Sequence, residues 1–270
     1  MISIKTPEEI EKMRIAGRMT GQVLTALTGY IREGLTTMEV DKFCEDFIIN
    51  ELKAIPGSKG QYGYPFSVNT SLNNVICHGM PSDTKKLKEG DIINVDVTVI
   101  NDGYYGDSSK MFCIGKTAPH AKRLVDVTQE CLFKGIAMVK PGNTIGDIGY
   151  AIQNHAKQNS YSVVKEYCGH GIGQKMHEDP QILHYGSPNS GATLEPGMTF
   201  TIEPMINQGK ATVKHIEKDG WSIALTKDRR LSAQWEHTLL VTEDGVEILT
   251  LREEEKHMLE SLLANDAPTL

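Results

Sequence analysis

The segment INVDVTVINDGYYGDSSKMF, Ile93–Phe112, reads as two β-strands joined by a turn, and each strand carries an aspartate. Asp96 stands between Val95 and Val97, in a run that is otherwise typical of a buried strand. Asp107 follows a Gly-Tyr-Tyr-Gly stretch, which predicts the turn. Because an uncompensated buried carboxylate is costly, we expect both aspartates to be protonated, paired or bound to a cation.

The composition of the chain is that of a folded soluble protein. It has 270 residues, of which 39% are hydrophobic and 23% charged. The formal net charge of −7 argues against a nucleic-acid-binding protein. No apolar run approaches the roughly 20 residues that a membrane span needs, and the N-terminus lacks the apolar core of a signal peptide. Five cysteines without a C-x-x-C pair indicate reduced thiols. We therefore expect a cytoplasmic monomer that binds neither nucleic acid nor membranes.

The order of predicted elements repeats along the chain. Capping boxes beginning at Thr6 and Thr36 predict two helices, and strands follow them. From about Thr117, two helices followed by strands recur. We therefore expect one α+β domain built from two half-domains related by a pseudo-twofold axis. The half-repeats span about residues 5–115 and 116–252, and a tail spans 253–270, where an acidic segment predicts a solvated helix with one packing face.

Aligning the two halves pairs residues of the same chemistry. LKEGDIINVDV resembles LEPGMTFTIEP, GYYGDSSKMF matches SAQWEHTLLV, and CHG matches GHG. The paired residues are Asp96 with Glu203, Asp107 with Glu236, and His78 with His170. Packing the halves face to face would therefore bring four carboxylates into one interior.

Four like charges in one interior repel strongly, and protonation of all four is an unfavourable resting state. Two divalent cations would balance them, and His170, in a Gly-rich loop, would supply one imidazole. Oxygen-rich ligation with one nitrogen suits Mn, Fe, Co or Zn. The residues alone thus predict a site for two divalent metal ions. For any single acid, the alternative is a strand-end carboxylate that is hydrogen-bonded to a turn.

At these motifs the chain resembles the type I methionine aminopeptidases, which belong to the pitta-bread metallopeptidases. The motifs NVDVTV…GYYGDSS, GHGIG…MHEDP, TIEPM and SAQWEHT occur in the family's order, and the resemblance extends from about residue 5 to 252. It implies the pitta-bread fold, in which the two half-domains form a central curved antiparallel sheet covered by helices.

The resemblance also implies a dinuclear metal centre. Asp107 and Glu236 would contact both metals. His170 and Glu203 would complete one metal site, and Asp96 would hold the other metal.

Three residues would carry the reaction, as the resemblance implies. Glu203 would move a proton from the attacking water to the leaving nitrogen. His177 would hydrogen-bond the carbonyl as it becomes an oxyanion, and His78 would contact the scissile amide. Both histidines would therefore also be substrate-binding residues.

The same resemblance implies a pocket for the substrate's first side chain. Tyr64 and Trp221 would form its aromatic walls, although packing alone remains the alternative for these two. Asn69 and Met176 would also line the pocket. Asn69, Met176 and Gln61 depart from the family pattern, in which Cys, Phe and an aromatic residue are common at these positions.

The implied activity is hydrolytic removal of N-terminal methionine from peptides and nascent chains when the second residue is small, with possible docking on ribosomes. Asn73, Val75 and Ser232 match positions that hold a monovalent cation in some members. Two alternatives stay open: another dinuclear exopeptidase of the same fold, of the X-Pro type, and a non-catalytic relative that binds partners.

Overall fold

The computed structural model describes residues 1–265 of the chain, and their side chains as far as residue 260. The α-helices of this part are α1 (Pro7–Tyr30), α2 (Thr37–Asp46), α3 (Pro119–Ile136), α4 (Ile145–Gln158) and α5 (Lys256–Asn265), with a π-helical turn at Phe47–Glu51 and 3₁₀ turns at Gln61–Gly63 and Glu253–Glu255. The strands are β1 (Ile55–Pro56), β2 (Val68–Leu72), β3 (Val75–Cys77), β4 (Ile92–Asn101), β5 (Tyr104–Cys113), β6 (Ser162–Val163), β7 (Gly169–Gly171), β8 (Glu178–Ile182), β9 (Thr199–Ile202), β10 (Met205–Asn207), β11 (Val213–Lys218), β12 (Trp221–Thr226), β13 (Ser232–Gln234), β14 (His237–Val241) and β15 (Val246–Ile248). No helix in this part of the chain is both long enough and apolar enough to cross a membrane.

The two predicted capping boxes are present, and a third occurs in the second half. Thr6 and Thr36 each form a capping box with the glutamate three residues on, at the starts of α1 and α2. In the second half Thr144 forms a capping box with Asp147 at the start of α4. Two helices therefore precede the main strands in each half. The boundaries of the half-repeats stay a prediction.

The hairpin of β4 and β5 carries the two aspartates, but its turn lies earlier than predicted. Asp102 and Gly103 have φ of 48° and 78°, so they are the central residues of the turn, and Tyr104 already belongs to β5. An Asp-Gly pair suits a two-residue hairpin because both central residues need positive φ. The register places Asp96 opposite Ser109 and Thr98 opposite Asp107. Both aspartates therefore point to the same face.

The second pair of acidic residues lies at breaks between strands, not inside them as expected. β9 pairs with β14, whereas β10 pairs with β13, so the chain changes sheets at Glu203-Pro204 and again just before Glu236. Pro204 has no N–H to donate to a ladder, which favours a break at this point. The backbone N–H of Glu236 donates to the carbonyl of Ser109 at 3.3 Å, which joins this break to the first hairpin.

The helices pack outside the strands and leave the acidic residues inside. α1 packs on β4 and β5, and α3 packs on α4 and β13. At two places the backbone of α1 packs directly against the backbone of another segment, because a glycine removes the side chain between them. A Cβ on Gly106 of β5 would lie 2.6 Å from the carbonyl oxygen of Ala16, and one on Gly17 would lie 2.6 Å from that of Leu249. α1 is therefore held directly against the first hairpin and against the segment that follows β15.

The C-terminal segment is less solvated than the sequence indicates. Glu255 is 1% exposed, and its carboxylate accepts hydrogen bonds from Arg252 and Gln129 at 2.8 and 2.9 Å. The acidic run thus begins with a buried ion pair, because Arg252 also lies inside the protein.

Candidate metal centre

One cavity of about 840 Å³ brings together the predicted catalytic, ligand and pocket residues. The residues on its lining are His78, Asp96, Asp107, His170, His177, Glu203 and Glu236, together with Gln61, Tyr64, Asn69, Met176 and Trp221. The ligand atoms of Asp107, His170 and Glu236 all lie within 4.8 Å of one another. The halves thus meet at a cavity in which carboxylates converge.

Neighbouring polar groups orient two of the carboxylates. Thr98 donates to Asp107 Oδ1 at 2.9 Å from the paired position on β4. Thr201 and Gln234 donate to the two oxygens of Glu203 at 2.9 and 3.2 Å. Asp96 differs, because its Oδ1 is buried and has no hydrogen-bond partner among the described residues.

Burial makes the metal-free site hard to ionise. It raises the pKa of Asp107 to about 6, against the opposing effect of the hydrogen bond from Thr98. Burial and the charge of Asp107 raise the pKa of Glu203 to about 8. The pKa values of Asp96 and Glu236 are raised well above the usual range, by burial first and by the neighbouring carboxylates second. Without a cation, this interior therefore retains protons near neutral pH.

His170 is oriented as a ligand. Its Nδ1 donates to the carbonyl of Gly171 at 3.0 Å, which leaves Nε2 with a free lone pair. Nε2 lies 3.5 Å from Glu203 Oε1 and 3.8 Å from Asp107 Oδ2. Burial lowers the pKa of His170 to about 3, so the ring is neutral at neutral pH.

The residues present fit divalent cations. A neutral imidazole faces several carboxylates, and the orphaned Oδ1 of Asp96 needs a partner that no neighbouring side chain supplies. Oxygen-rich donor sets with one nitrogen match harder or borderline divalent metals.

Two further histidines line the same cavity. His78 has a positive φ of 60°, its carbonyl accepts a hydrogen bond from Trp221 Nε1 at 3.0 Å, and burial lowers its pKa to about 4. His177 lies with its ring centre 4.4 Å from that of His170, and burial lowers its pKa too. The hydroxyl of Tyr62 lies 3.2 Å from His177 Nδ1. A proton donated by Tyr62 would leave the ring's own proton on Nε2.

The predicted side-chain pocket forms one wall of the cavity. The rings of Tyr64 and Trp221 pack with their centres 4.4 Å apart. The Tyr64 hydroxyl donates to the Val68 carbonyl at 2.9 Å, so its polar end is already satisfied. Asn69 is buried, and its Oδ1 has no partner among the described residues. Gln61 donates to the Tyr105 hydroxyl at 3.0 Å. The wall is therefore aromatic with polar groups beside it.

The three residues of the predicted monovalent-cation site lie outside this lining. The N–H of Ser232 donates to the carbonyl of Asn73 at 2.9 Å, so these two residues are neighbours. Val75 pairs with Leu225 on β12. The side chain of Asn73 is engaged by Asp91 and Ile92. The site stays a prediction.

Several site residues were missed from the sequence. Thr98 and Thr201 could have been found, because each lies two residues along the sequence from a predicted ligand, Asp96 and Glu203 respectively. Tyr62 and His184 carry no such signal. His184 is fully buried, and its Nε2 accepts the backbone N–H of Glu203 at 3.1 Å, which holds the turn that presents this carboxylate.

Comparison with known proteins identifies close relatives. The chain is 56% identical over 254 residues to a methionine aminopeptidase of Salmonella typhimurium, an alignment that covers 94% of this chain and 96% of the relative. It is 54% identical to a methionine aminopeptidase of Escherichia coli K12, with the same coverage. The crystal structure of methionine aminopeptidase from Rickettsia prowazekii superposes with a TM-score of 0.90 at 48% identity, over 93% of this chain and all of that one.

The family assignment follows from the length of the match. The model of metallopeptidase family M24 matches residues 11–243, which includes every predicted metal ligand. The predicted pitta-bread fold is confirmed by the same matches. The chain belongs to metallopeptidase family M24.

Proposed function

We propose that this protein is a metallo-aminopeptidase that removes N-terminal methionine from peptides and nascent chains when the second residue is small. The observation that carries the proposal is the convergence of four carboxylates, two of them fully buried, and the neutral His170 on one cavity beside an aromatic pocket. The relatives named methionine aminopeptidase support it.

Two divalent ions, Co, Mn, Fe or Zn, would balance the acidic centre. Asp107 and Glu236 would bind both ions, and His170 and Glu203 would complete one site. Asp96 would hold the other ion, through the oxygen that lacks a partner. Bound cations would acidify a water molecule and polarise the scissile carbonyl.

Glu203 would carry the proton in this reaction. Its carboxylate lies in the cavity, and Thr201 and Gln234 hold its two oxygens in fixed directions. A carboxylate so fixed can accept a proton from the attacking water and deliver it to the leaving amide nitrogen. His184 holds the backbone of Glu203 and so keeps the carboxylate aimed at the cavity.

The two neutral histidines would act on the substrate. His177, with Tyr62 on its Nδ1, would present Nε2–H to the carbonyl oxygen as negative charge develops there. His78, which lines the same cavity, would bind the scissile amide. Burial keeps both rings uncharged, so each can donate one hydrogen bond without placing another cation near the centre.

The pocket of Tyr64, Trp221, Asn69 and Met176 would hold the methionine side chain. The enclosed site between the segments of His78 and His177 would leave little room beside the scissile bond, which would favour a small second residue. We expect the protein to act as a monomer in the cytoplasm, on free peptides and on nascent chains at the ribosome.

One experiment tests this function. Metal content is measured in the purified protein, and cleavage of Met-Ala-Ser, Met-Leu-Ser and Ala-Pro-Ala is then followed with Mn²⁺ added. We expect bound metal and preferential cleavage of Met-Ala-Ser. Faster cleavage of Ala-Pro-Ala would indicate the X-Pro activity instead, and bound metal without any cleavage would indicate a non-catalytic relative.

A further inference from the structure

A group of buried polar residues lies directly behind the acidic centre and has no part in the chemistry described above. We call Thr250, Arg252 and Glu255 the C-terminal clasp. Arg252 is 2% exposed and Glu255 1% exposed, and the guanidinium donates to Glu255 Oε1 at 2.8 Å. A buried ion pair of this kind is weak evidence for stability, because desolvation offsets much of the attraction. Its position therefore needs another explanation.

The clasp reaches the metal ligands through one hydroxyl. Arg252 donates to Ser108 Oγ at 2.9 Å, and Ser108 Oγ donates to the backbone carbonyl of Glu236 at 2.6 Å. Since the guanidinium can only donate, it fixes the hydroxyl as an acceptor on one side. The hydroxyl proton must then point to Glu236. Arg252 thus determines the direction of the hydrogen bond from Ser108 to Glu236, and this bond positions the segment between β13 and β14.

A second residue of the clasp, Thr250, is linked by hydrogen bonds to the backbone of Asp107, the other residue that would bind both metals. Thr250 Oγ1 accepts the backbone N–H of Thr238 at 3.1 Å. Thr238 Oγ1 in turn donates to the Asp107 carbonyl at 2.7 Å and accepts the Asp107 N–H at 3.1 Å. The backbones of Asp107 and Glu236 are therefore both connected to the same C-terminal segment. The distance between these two residues depends on that segment.

We propose that Arg252 is a positioning residue for the metal centre: through Ser108 it fixes the backbone of Glu236, from which the carboxylate projects, and so raises the affinity of the site for divalent metal. The inference rests on the proposed function, because it requires the acidic centre to bind metal. Residues that orient metal ligands typically change metal affinity by about 10–100-fold when they are replaced.

The test is the dissociation constant for Mn²⁺, measured by titration calorimetry with the full chain. Arg252→Met should raise it about tenfold or more, and Arg252→Lys should recover part of the loss, since it keeps the charge but not the planar fork. Ser108→Ala should raise it in the same direction. The double variant should bind no more weakly than Arg252→Met alone, because both changes break one relay.

Lys110→Met is the matched control. Lys110 is also largely buried and also binds the C-terminal segment, through Glu254 at 2.6 Å, but its amino group does not contact Ser108. If the segment has only a structural role, Arg252→Met and Lys110→Met should have similarly lowered melting temperatures. The dissociation constant for Mn²⁺ should then be the same in both variants as in the wild-type protein. That result would overturn the inference.

The outcomes separate the two proposals. Wild-type protein that binds no Mn²⁺ would refute the proposed function and the inference with it. Wild-type protein that binds Mn²⁺, together with folded variants of Arg252 or Ser108 that bind it equally well, would refute the inference alone. If Arg252→Met does not fold, Ser108→Ala decides the question.

Discussion

Replacing Glu203 by Gln should stabilise the metal-free protein at high pH. In the folded state burial and Asp107 raise the pKa of Glu203 to about 8, compared with 4.5 for an unperturbed glutamate. The folded protein therefore retains a proton that the unfolded chain has already lost. The stability that this proton provides is fully present below pH 4.5 and is lost as the pH rises from 4.5 to about 8. Gln has nearly the same shape but no proton to lose.

The size of the effect follows from the shift. Between pH 6 and pH 9, loss of the Glu203 proton costs the wild-type protein about 2–3 kcal/mol of unfolding free energy that the variant keeps. For a chain of this size that corresponds to roughly 5–10 °C in melting temperature. Buried histidines with lowered pKa values also make stability depend on pH, but they are present in both proteins and cancel in the difference.

The assay is thermal unfolding of both proteins in chelator at pH 6 and pH 9. We expect the Glu203→Gln variant to be the more stable protein at both pH values, with an advantage about 2–3 kcal/mol larger at pH 9 than at pH 6. Adding Mn²⁺ should reverse the order, because the wild-type protein gains more from binding. Glu243→Gln, on an exposed turn, is the control and should show no such gap. If the difference in melting temperature between the wild-type protein and Glu203→Gln is the same at both pH values, the reasoning is refuted.

Three further predictions concern single side chains. Tyr62→Phe should lower kcat about 2–10-fold and leave KM unchanged, because it removes a hydrogen bond to His177 that stabilises the transition state. Steady-state kinetics with Met-Ala-Ser measure both constants, and a change in KM alone would contradict the prediction. Asp107→Ala should abolish Mn²⁺ binding in calorimetry, and near-normal binding would remove its bridging role. Asn69→Cys should raise the preference for peptides with N-terminal methionine over peptides with N-terminal norleucine. In a competition between the two peptides, an unchanged ratio of their cleavage rates would refute this.

The helix starts and the acidic residues could be predicted because their signals are local. The capping boxes at Thr6 and Thr36 need only four residues each. Asp96 is conspicuous because it interrupts a run of valines. The internal repeat then supplied the long-range information that places Glu203 and Glu236 with the aspartates. Local pattern and duplication together predicted an α+β domain and the set of candidate ligands, whereas the pitta-bread fold was implied by the family resemblance.

What could not be predicted depends on contacts between distant segments. The hairpin turn was placed at Gly-Tyr-Tyr-Gly because glycines attract a turn assignment, whereas positive φ falls on Asp102 and Gly103. The break before Glu236 appears only when β13 and β14 are seen in different sheets. His184 and Tyr62 reach the site from loops whose sequence gives no periodic signal. Such residues can be assigned to the site only once the fold is known.

The direct backbone contacts of α1 join the start of the chain to its end. Gly17 packs against the carbonyl of Leu249, which follows β15, while Gly106 of β5 packs against Ala16. A fragment that ends after β5 would expose the Gly17 face of the helix to water. We therefore expect that a chain divided between β5 and α3 would yield two fragments that fold only together.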